Sequence, residues 1–223
     1  MDAFTTSHLR SSNFIDSDSE AVRDFARQAS QEFLDDVGRV IALYRTVRDQ
    51  IIYDPYVDLS DPRSYRASDV LKSGRGYCVG KASLLAAVVR AIGIPARVGY
   101  ADVRNHMTSP QLYALIKGDI FRWHSYADIF LDGSWVKATP AFNASLCERL
   151  GLAVLEFDGR NDSLFQEFDR AGHRYMEYLQ IRGTFADVPF ERIVSDFHRH
   201  YPELMSGSGL EGDFQSEAGA DQP

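Results

Sequence analysis

Cysteine is the scarcest chemistry in this sequence: Cys78 and Cys147 are the only two among 223 residues. Two thiols are too few for a disulfide scaffold or a four-ligand structural zinc site. The chain also lacks any apolar run long enough to span a bilayer. Its first residues, MDAFTTSHLRSSNF, have neither the basic nor the apolar segment of a secretory signal. Positive charge is short as well, with 24 Lys and Arg against 32 Asp and Glu and a formal net charge of -8. A nucleic-acid backbone asks for the opposite, a concentrated basic surface. No internal repeat is present. These absences predict a cytoplasmic, reduced protein with neither a membrane nor a nucleic-acid partner, in which a disulfide between Cys78 and Cys147 is not expected.

What is present is the material of a folded domain. The composition is 44% hydrophobic and 25% charged, with 12% aromatic residues to fill a core. Residues 1–15 read as an irregular lead-in. Ser17 and Glu20 stand at capping-box spacing and open a helix with Ala21, Val22, Phe25, Ala26 and Ala29 on its apolar stripe. A longer helix repeats Phe33, Val37, Val40, Ile41, Tyr44, Val47 and Ile51, and stops at YDPY, where Pro55 restricts Asp54. A polar loop with one short helical turn at 68–72 follows. Residues 79–92 are apolar almost all round, which predicts a helix at the centre of the fold, capped by Gly93 and ended by Pro95. The period then changes, and ARVGYADV, QLYALI, WHSYADIFL and SWVKATPAF read as strands. Beyond Cys147 helices are predicted within LFQEFDRAGHRYMEYLQIRG and FERIVSDFHRHY. The Gly/Ser-rich acidic stretch 206–223 predicts disorder, leaving 1–205 as one domain.

Cys78 stands at the first position of the central helix, where free N–H groups and the helix dipole favour a thiolate. Gly74 and Gly76 leave the sulfur uncovered, and Gly80, Ala82 and Ser83 keep the first turn slender. Two readings stay open from position alone, a nucleophile and a small buried hydrophobe. A nucleophilic thiol needs a base, usually imidazole, held by a third group. Of the six histidines, His8 lies in the lead-in, His198 and His200 on a late polar helix, and His106 and His173 on no recognisable rigid element. His124 opens a strand that turns at Asp132-Gly133, a strong hairpin signal. A two-residue loop there pairs Leu131 with Ser134, Asp128 with Lys137 and Tyr126 with Thr139. His124 and Thr139 then share a face as diagonal neighbours, about 7–8 Å apart. Asp128 lies some ~13 Å along the strand and is expected to pair with Lys137.

The run GYCVGKASLLAAVVRAIGIPARVGY, followed by WHSYADIFLDGSWVKATPAFN, resembles the transglutaminase-like superfamily of papain-like thiol enzymes. In that family's pattern a Gly-x-Cys opens a helix and a Gly-Ile-Pro-Ala-Arg exit leads into a strand. A further strand carries a histidine, and another brings an aspartate, usually followed by proline. Gly76, Cys78, Gly93, Ile94, Pro95, Ala96, Arg97, His124, Trp135 and Pro140 fall on the pattern in order, over about residues 68–143. The resemblance implies an α+β fold with a papain-like/transglutaminase-like core, its central helix packed on an antiparallel sheet. It implies a catalytic Cys78, a His124 base, and acyl transfer on amides of a peptide or protein substrate through a thioester, with hydrolysis expected ahead of cross-linking. No cofactor is implied, and no ligand cluster matches the calcium sites of the family's specialised branches, so no metal is expected.

The departure from the pattern is the third member, because the family's aspartate falls on Thr139. A hydroxyl can accept the imidazole N–H but stabilises imidazolium less than a carboxylate does. Thr139 is the expected orienter, with Asn143 and Asp102 as alternatives. A catalytically weak fold used as a peptide-binding module is therefore the competing reading. Cys147 reads as a buried structural thiol, and Phe121, Trp123, Tyr126, Phe130 and Trp135 as core. Asp158, Asp162 and Asp169 lack the spacing of an EF-hand loop and read as turn and cap residues. Arg75 either binds an acidic substrate group or is simply solvated.

Overall fold

In the computed structural model, which describes residues 6–106, 108–165, 168–169, 171–206 and 214–217, the chain begins with two helices, α1 (Glu20–Ser30) and α2 (Asp36–Gln50). The predicted capping box does not form. Ser19 is the N-cap of α1 and makes no side-chain cap bond, whereas Asp35 caps α2 by accepting the Gly38 N–H. Val22 and Ala26 of α1 and Val40, Leu43, Tyr44 and Val47 of α2 are buried, while Phe33 precedes α2 and is exposed. The second helix ends before Pro55 acts on it, because Ile52–Tyr53 (β1) pairs in parallel with Arg75–Gly76 (β2). Between these two strands lie a 3-10 turn, Pro62–Ser64, and helix α3 (Ala67–Ser73). Gly74, at φ +68°, closes α3 by donating to Val70 and Leu71.

Helix α4 (Cys78–Ala91) is the predicted central helix, and every residue from Val79 to Arg90 is buried. A Cβ at Gly80 would stand 2.6 Å from the Ser64 carbonyl, so glycine is what lets the 3-10 turn lie against the first turn of α4. Gly93, at φ +84°, donates to the Arg90 carbonyl and ends the helix as expected.

Beyond it come β3 (Ala96–Asn105), α5 (Pro110–Ile116), β4 (Ile120–Leu131), β5 (Ser134–Ala138), α6 (Ala144–Arg149) and β6 (Met176–Phe185). The four long strands form one sheet in the order β5-β4-β3-β6, antiparallel at every step, and α4 packs on β4 and β3. The Asp132-Gly133 turn has positive φ at both residues, and the pairs run from Leu131↔Ser134 to Ala127↔Ala138, the register expected from the turn. Pairing stops at Ala138 rather than 140, because the Thr139 N–H turns to the Ser163 carbonyl.

Two elements differ in kind from the sequence reading. QLYALI is helical, not a strand: Ser109 Oγ accepts the Leu112 N–H and Pro110 occupies the first turn, with Leu112 and Ile116 on the buried face. Among the described residues the helix predicted within 164–183 does not form; Met176–Phe185 is instead β6, paired with β3. The chain closes with α7 (Phe190–His200), α8 (Pro202–Met205) and α9 (Phe214–Glu217). Of the stretch expected to be disordered, 207–213 and 218–223 lie outside the described residues, and the helical α9 departs from that expectation. Cys147 is buried on α6, and neither it nor Cys78 is in a disulfide among the described residues. Among the described residues no helix is long and apolar enough to cross a membrane.

Candidate active site

Cys78 is the first residue of α4, presented by an extended Tyr77 at the N-cap. The amide N–H groups of Ser125, Val79 and Cys78 itself favour the thiolate. Burial opposes them and wins. The thiol keeps some accessible surface but sits among apolar walls, and desolvation pushes it up to about 11. The helix start favours the thiolate as expected, but the desolvation that outweighs it was not read from the sequence.

His124 stands at the edge of a β-bulge. Ala101 pairs with His124 and Val103 with Phe121, so Arg122 and Trp123 together face the single residue Asp102. The pairs from Ala96↔Ile129 to Ala101↔His124 keep one unbroken register, so His124 ends the regular ladder and the extra residue shifts the strand only beyond it. Trp123 takes up the distortion at φ +59°, an uncommon conformation for a bulky side chain. Asp102, buried under the bulge, holds it. Its carboxylate accepts the Trp123 N–H (3.1 Å), Arg122 Nη1 (3.2 Å), and Arg182 Nε (2.5 Å) and Nη2 (2.8 Å). Arg182 also reaches Asp196 (2.8 Å), which accepts the Trp123 indole N–H (2.9 Å). The Arg182 guanidinium lies 4.5 Å from the centre of the indole ring.

The imidazole of His124 is buried, its centre 4.9 Å from Phe165 and 6.4 Å from Tyr178. Desolvation pushes it down to about 3, so the ring is neutral. Its Nε2 is buried with no hydrogen-bond partner.

Cys78 and His124 open onto the same cavity, about 70 Å³ in volume, with walls that are chiefly aromatic and aliphatic. Thr139 is not on its wall. Its hydroxyl is buried and has no hydrogen-bond partner, so the expected bond to the imidazole does not form. His124 Nε2 and the Thr139 hydroxyl are thus two buried polar atoms with no hydrogen-bond partner among the described residues. The alternative orienters are committed elsewhere: Asp102 to the bulge, and Asn143 to the Tyr53 N–H (3.2 Å) and the Ser145 hydroxyl (2.7 Å). Among the described residues no group of three or more His, Cys, Asp or Glu is arranged to hold a metal ion.

Other expectations resolve at the periphery. Asp128 pairs with Arg97 (2.7 Å) rather than Lys137, which reaches Asp162 (2.6 Å). Asp158 and Asp169 accept backbone N–H groups in turns, as read from the sequence. Arg75 forms an ion pair with Asp54. The sequence reading missed Lys81, fully buried one turn into α4, which donates to the carbonyls of Arg48 (2.9 Å) and Ile51 (2.5 Å) and fastens the end of α2 beside Cys78. Its signal was a lysine in an otherwise apolar run. Phe165, Tyr178 and Phe214 were missed because their segments were read as helix or disorder.

The family model described as the transglutaminase-like superfamily matches residues 23–140. A provisionally assigned cysteine protease from Cytophaga hutchinsonii has a similar structure, with a TM-score of 0.52 and 19% identity, over 84% of this chain and 48% of its own. Red sea bream transglutaminase aligns with a TM-score of 0.42 and 12% identity, over 87% of this chain and 41% of its own. The chain thus spans about half the length of the solved structures it matches. No curated protein matches it.

Proposed function

The chain belongs to the transglutaminase-like superfamily, and from that premise we propose that it is a thiol enzyme acting on amide bonds of a peptide or protein substrate, hydrolysing them rather than cross-linking. The observation that carries the proposal is the convergence of Cys78, from the start of α4, and His124, from β4, on one apolar cavity. The Cys78 sulfur attacks the amide carbonyl while its proton passes to the His124 imidazole. The imidazolium returns that proton to the departing amine as the C–N bond breaks, leaving a thioester. Water then attacks the thioester, His124 takes its proton, and the acid and the free thiol are released. Amide N–H groups at the start of α4 face the developing oxyanion.

The two pKa values bear on timing. With the thiol at about 11 and the imidazole at about 3, forming the separate ions costs roughly 11 kcal/mol. Even ions brought to ~4 Å would recover only about 4 kcal/mol at an effective dielectric constant of 20. A resting ion pair is therefore disfavoured, and proton transfer accompanies attack. Hydrolysis is favoured over cross-linking because a water molecule fits a cavity of this size and because the neighbouring fold from Cytophaga hutchinsonii is assigned as a protease.

A second reading, a peptide-binding module, has one observation in its favour: among the described residues no carboxylate hydrogen-bonds His124 Nε2. Incubation with a mixed peptide library and mass-spectrometric readout of cleavage or deamidation separates the two. Turnover by the wild type that vanishes in both Cys78→Ala and His124→Ala supports the enzyme. Turnover that survives Cys78→Ala, or a wild type that binds peptides and never converts them, defeats it.

A further inference from the structure

The C-terminal segment α9 lies at the mouth of the cavity that Cys78 and His124 share. Phe214 is one of the cavity's lining residues. Its ring meets Tyr53 edge-on at 5.6 Å and Tyr56 at 6.1 Å. From there aromatic contacts lead inward: Tyr53 to Phe142 (4.8 Å), Phe142 to Phe165 (5.0 Å), and Phe165 to the imidazole of His124 (4.9 Å). The next residue is held by the same wall. Gln215 Nε2 donates to the Tyr53 carbonyl (3.1 Å), and the Gln215 carbonyl accepts from Arg149 at the end of α6 (2.5 Å). An aromatic side chain flanked by peptide hydrogen bonds is how a bound peptide is anchored: the ring supplies apolar contact and the main chain fixes direction.

We propose that the pocket between Tyr53, Tyr56 and Phe142 is a recognition subsite for an aromatic side chain of the peptide substrate, and that Phe214 of the chain's own C-terminal segment competes for it. The proposal rests on the reading of Cys78 as a nucleophile and adds the class of peptide it acts on. Tyr53 has both roles in view, since it lines the cavity wall with Cys78 and meets Phe214 edge-on. Tethering supplies the competitor at an effective concentration on the order of millimolar, so even a weak contact keeps the subsite filled. A substrate with an aromatic residue beside the attacked amide must displace Phe214, whereas one without it gains nothing from doing so.

The test uses the full-length chain with the substitution Phe214→Ala. Two edge-on ring contacts correspond to about a tenfold change in occupancy, so Cys78 alkylation by iodoacetamide is expected to accelerate by about that factor. The peptide acetyl-Gly-Asp-Phe-Gln-Ser-Glu-amide, added at millimolar concentration, should slow Phe214→Ala back towards the wild-type rate, and its Phe→Ala counterpart should not. Arg149→Ala, which loosens the segment from outside the pocket, should give a smaller acceleration. An unchanged rate in Phe214→Ala, or equal effects of the two peptides, overturns the proposal. If Cys78 resists alkylation in every variant, it is the enzyme reading that falls. Calorimetric titration of both peptides into Cys78→Ala/Phe214→Ala then decides the subsite separately: binding of the Phe peptide alone supports it, and equal or absent binding overturns it.

Discussion

Acid should destabilise this protein through one ring. His124 is buried, its Nε2 has no partner, and its pKa falls from 6.5 to about 3 on folding. The folded value lies below the unfolded one, so between those limits the unfolded chain takes up a proton that the folded chain refuses. Stability is therefore present above pH 6.5 and lost as the pH falls toward 3. Between pH 7 and pH 5 the loss from this group is about 2 kcal/mol, and it approaches roughly 5 kcal/mol at pH 3. A typical domain has about 5–15 kcal/mol in total, so the effect is large enough to measure. His8 is shifted the same way by burial and by Arg97 and Arg90, and the carboxylates add their own acid dependence. The informative quantity is thus the difference between the wild type and His124→Gln, measured by urea denaturation at pH 7, 6 and 5. His124→Gln should lose about 2 kcal/mol less than the wild type over that interval. Parallel pH curves would show that His124 is not held neutral by burial, and the argument from desolvation would fail.

Thr139→Asp should place a carboxylate toward the orphaned Nε2; at an effective dielectric constant of 20 and ~4 Å separation the attraction is about 4 kcal/mol, so His124 should titrate higher and Cys78 should alkylate at least tenfold faster at pH 7. An unchanged or slower rate, with the fold intact by circular dichroism, would mean that residue 139 does not address the ring. Asp102→Asn should remove about 3 kcal/mol of stability in urea, because it leaves Arg182 and Arg122 facing a neutral amide under the bulge. It should also lower kcat more than it raises KM, since Asp102 holds the backbone of Trp123 next to His124 and not the substrate; a variant with wild-type stability and kcat would show that Asp102 does not position His124. Iodoacetamide labelling of wild-type Cys78 should keep rising from pH 7 to pH 9.5 rather than level off, given a thiol at about 11, and a plateau below pH 8 would contradict burial as the dominant influence.

Much of this arrangement was legible in the sequence where a local rule governs. The Asp132-Gly133 turn determines its own register, and the all-round apolarity of 79–92 marks a helix with no exposed face. The pairing of Cys78 with His124 came from the family pattern, and both open onto one cavity. What could not be read depended on partners remote in sequence. MEYLQIRGTF contains good helix formers, yet it becomes β6 because the edge of β3 offers ladder hydrogen bonds that outweigh local propensity. The bulge at Trp123 arises from Asp102, Arg182 and Asp196 meeting across separate elements, and nothing near His124 in the sequence signals it. The helix start argued for an acidic thiol at Cys78, but the apolar surroundings that raise its pKa come from the distant packing of the whole cavity. QLYALI is a different case. Ser109-Pro110 is a helix-start signature that was present and outweighed by the neighbouring strands.

The central claim is that Cys78 carries an acyl group in turnover, with His124 as its base. The most direct measurement is acid quenching of the protein during incubation with peptide substrates, followed by intact-mass and peptide mapping of the acylated species. The account predicts a hydroxylamine-labile adduct on Cys78 alone, absent from Cys78→Ala and at least a hundredfold slower to form in His124→Ala, within the ~10²–10⁴ range typical of a lost general base. An adduct on Cys147, or one on Cys78 that forms equally fast without His124, would contradict it.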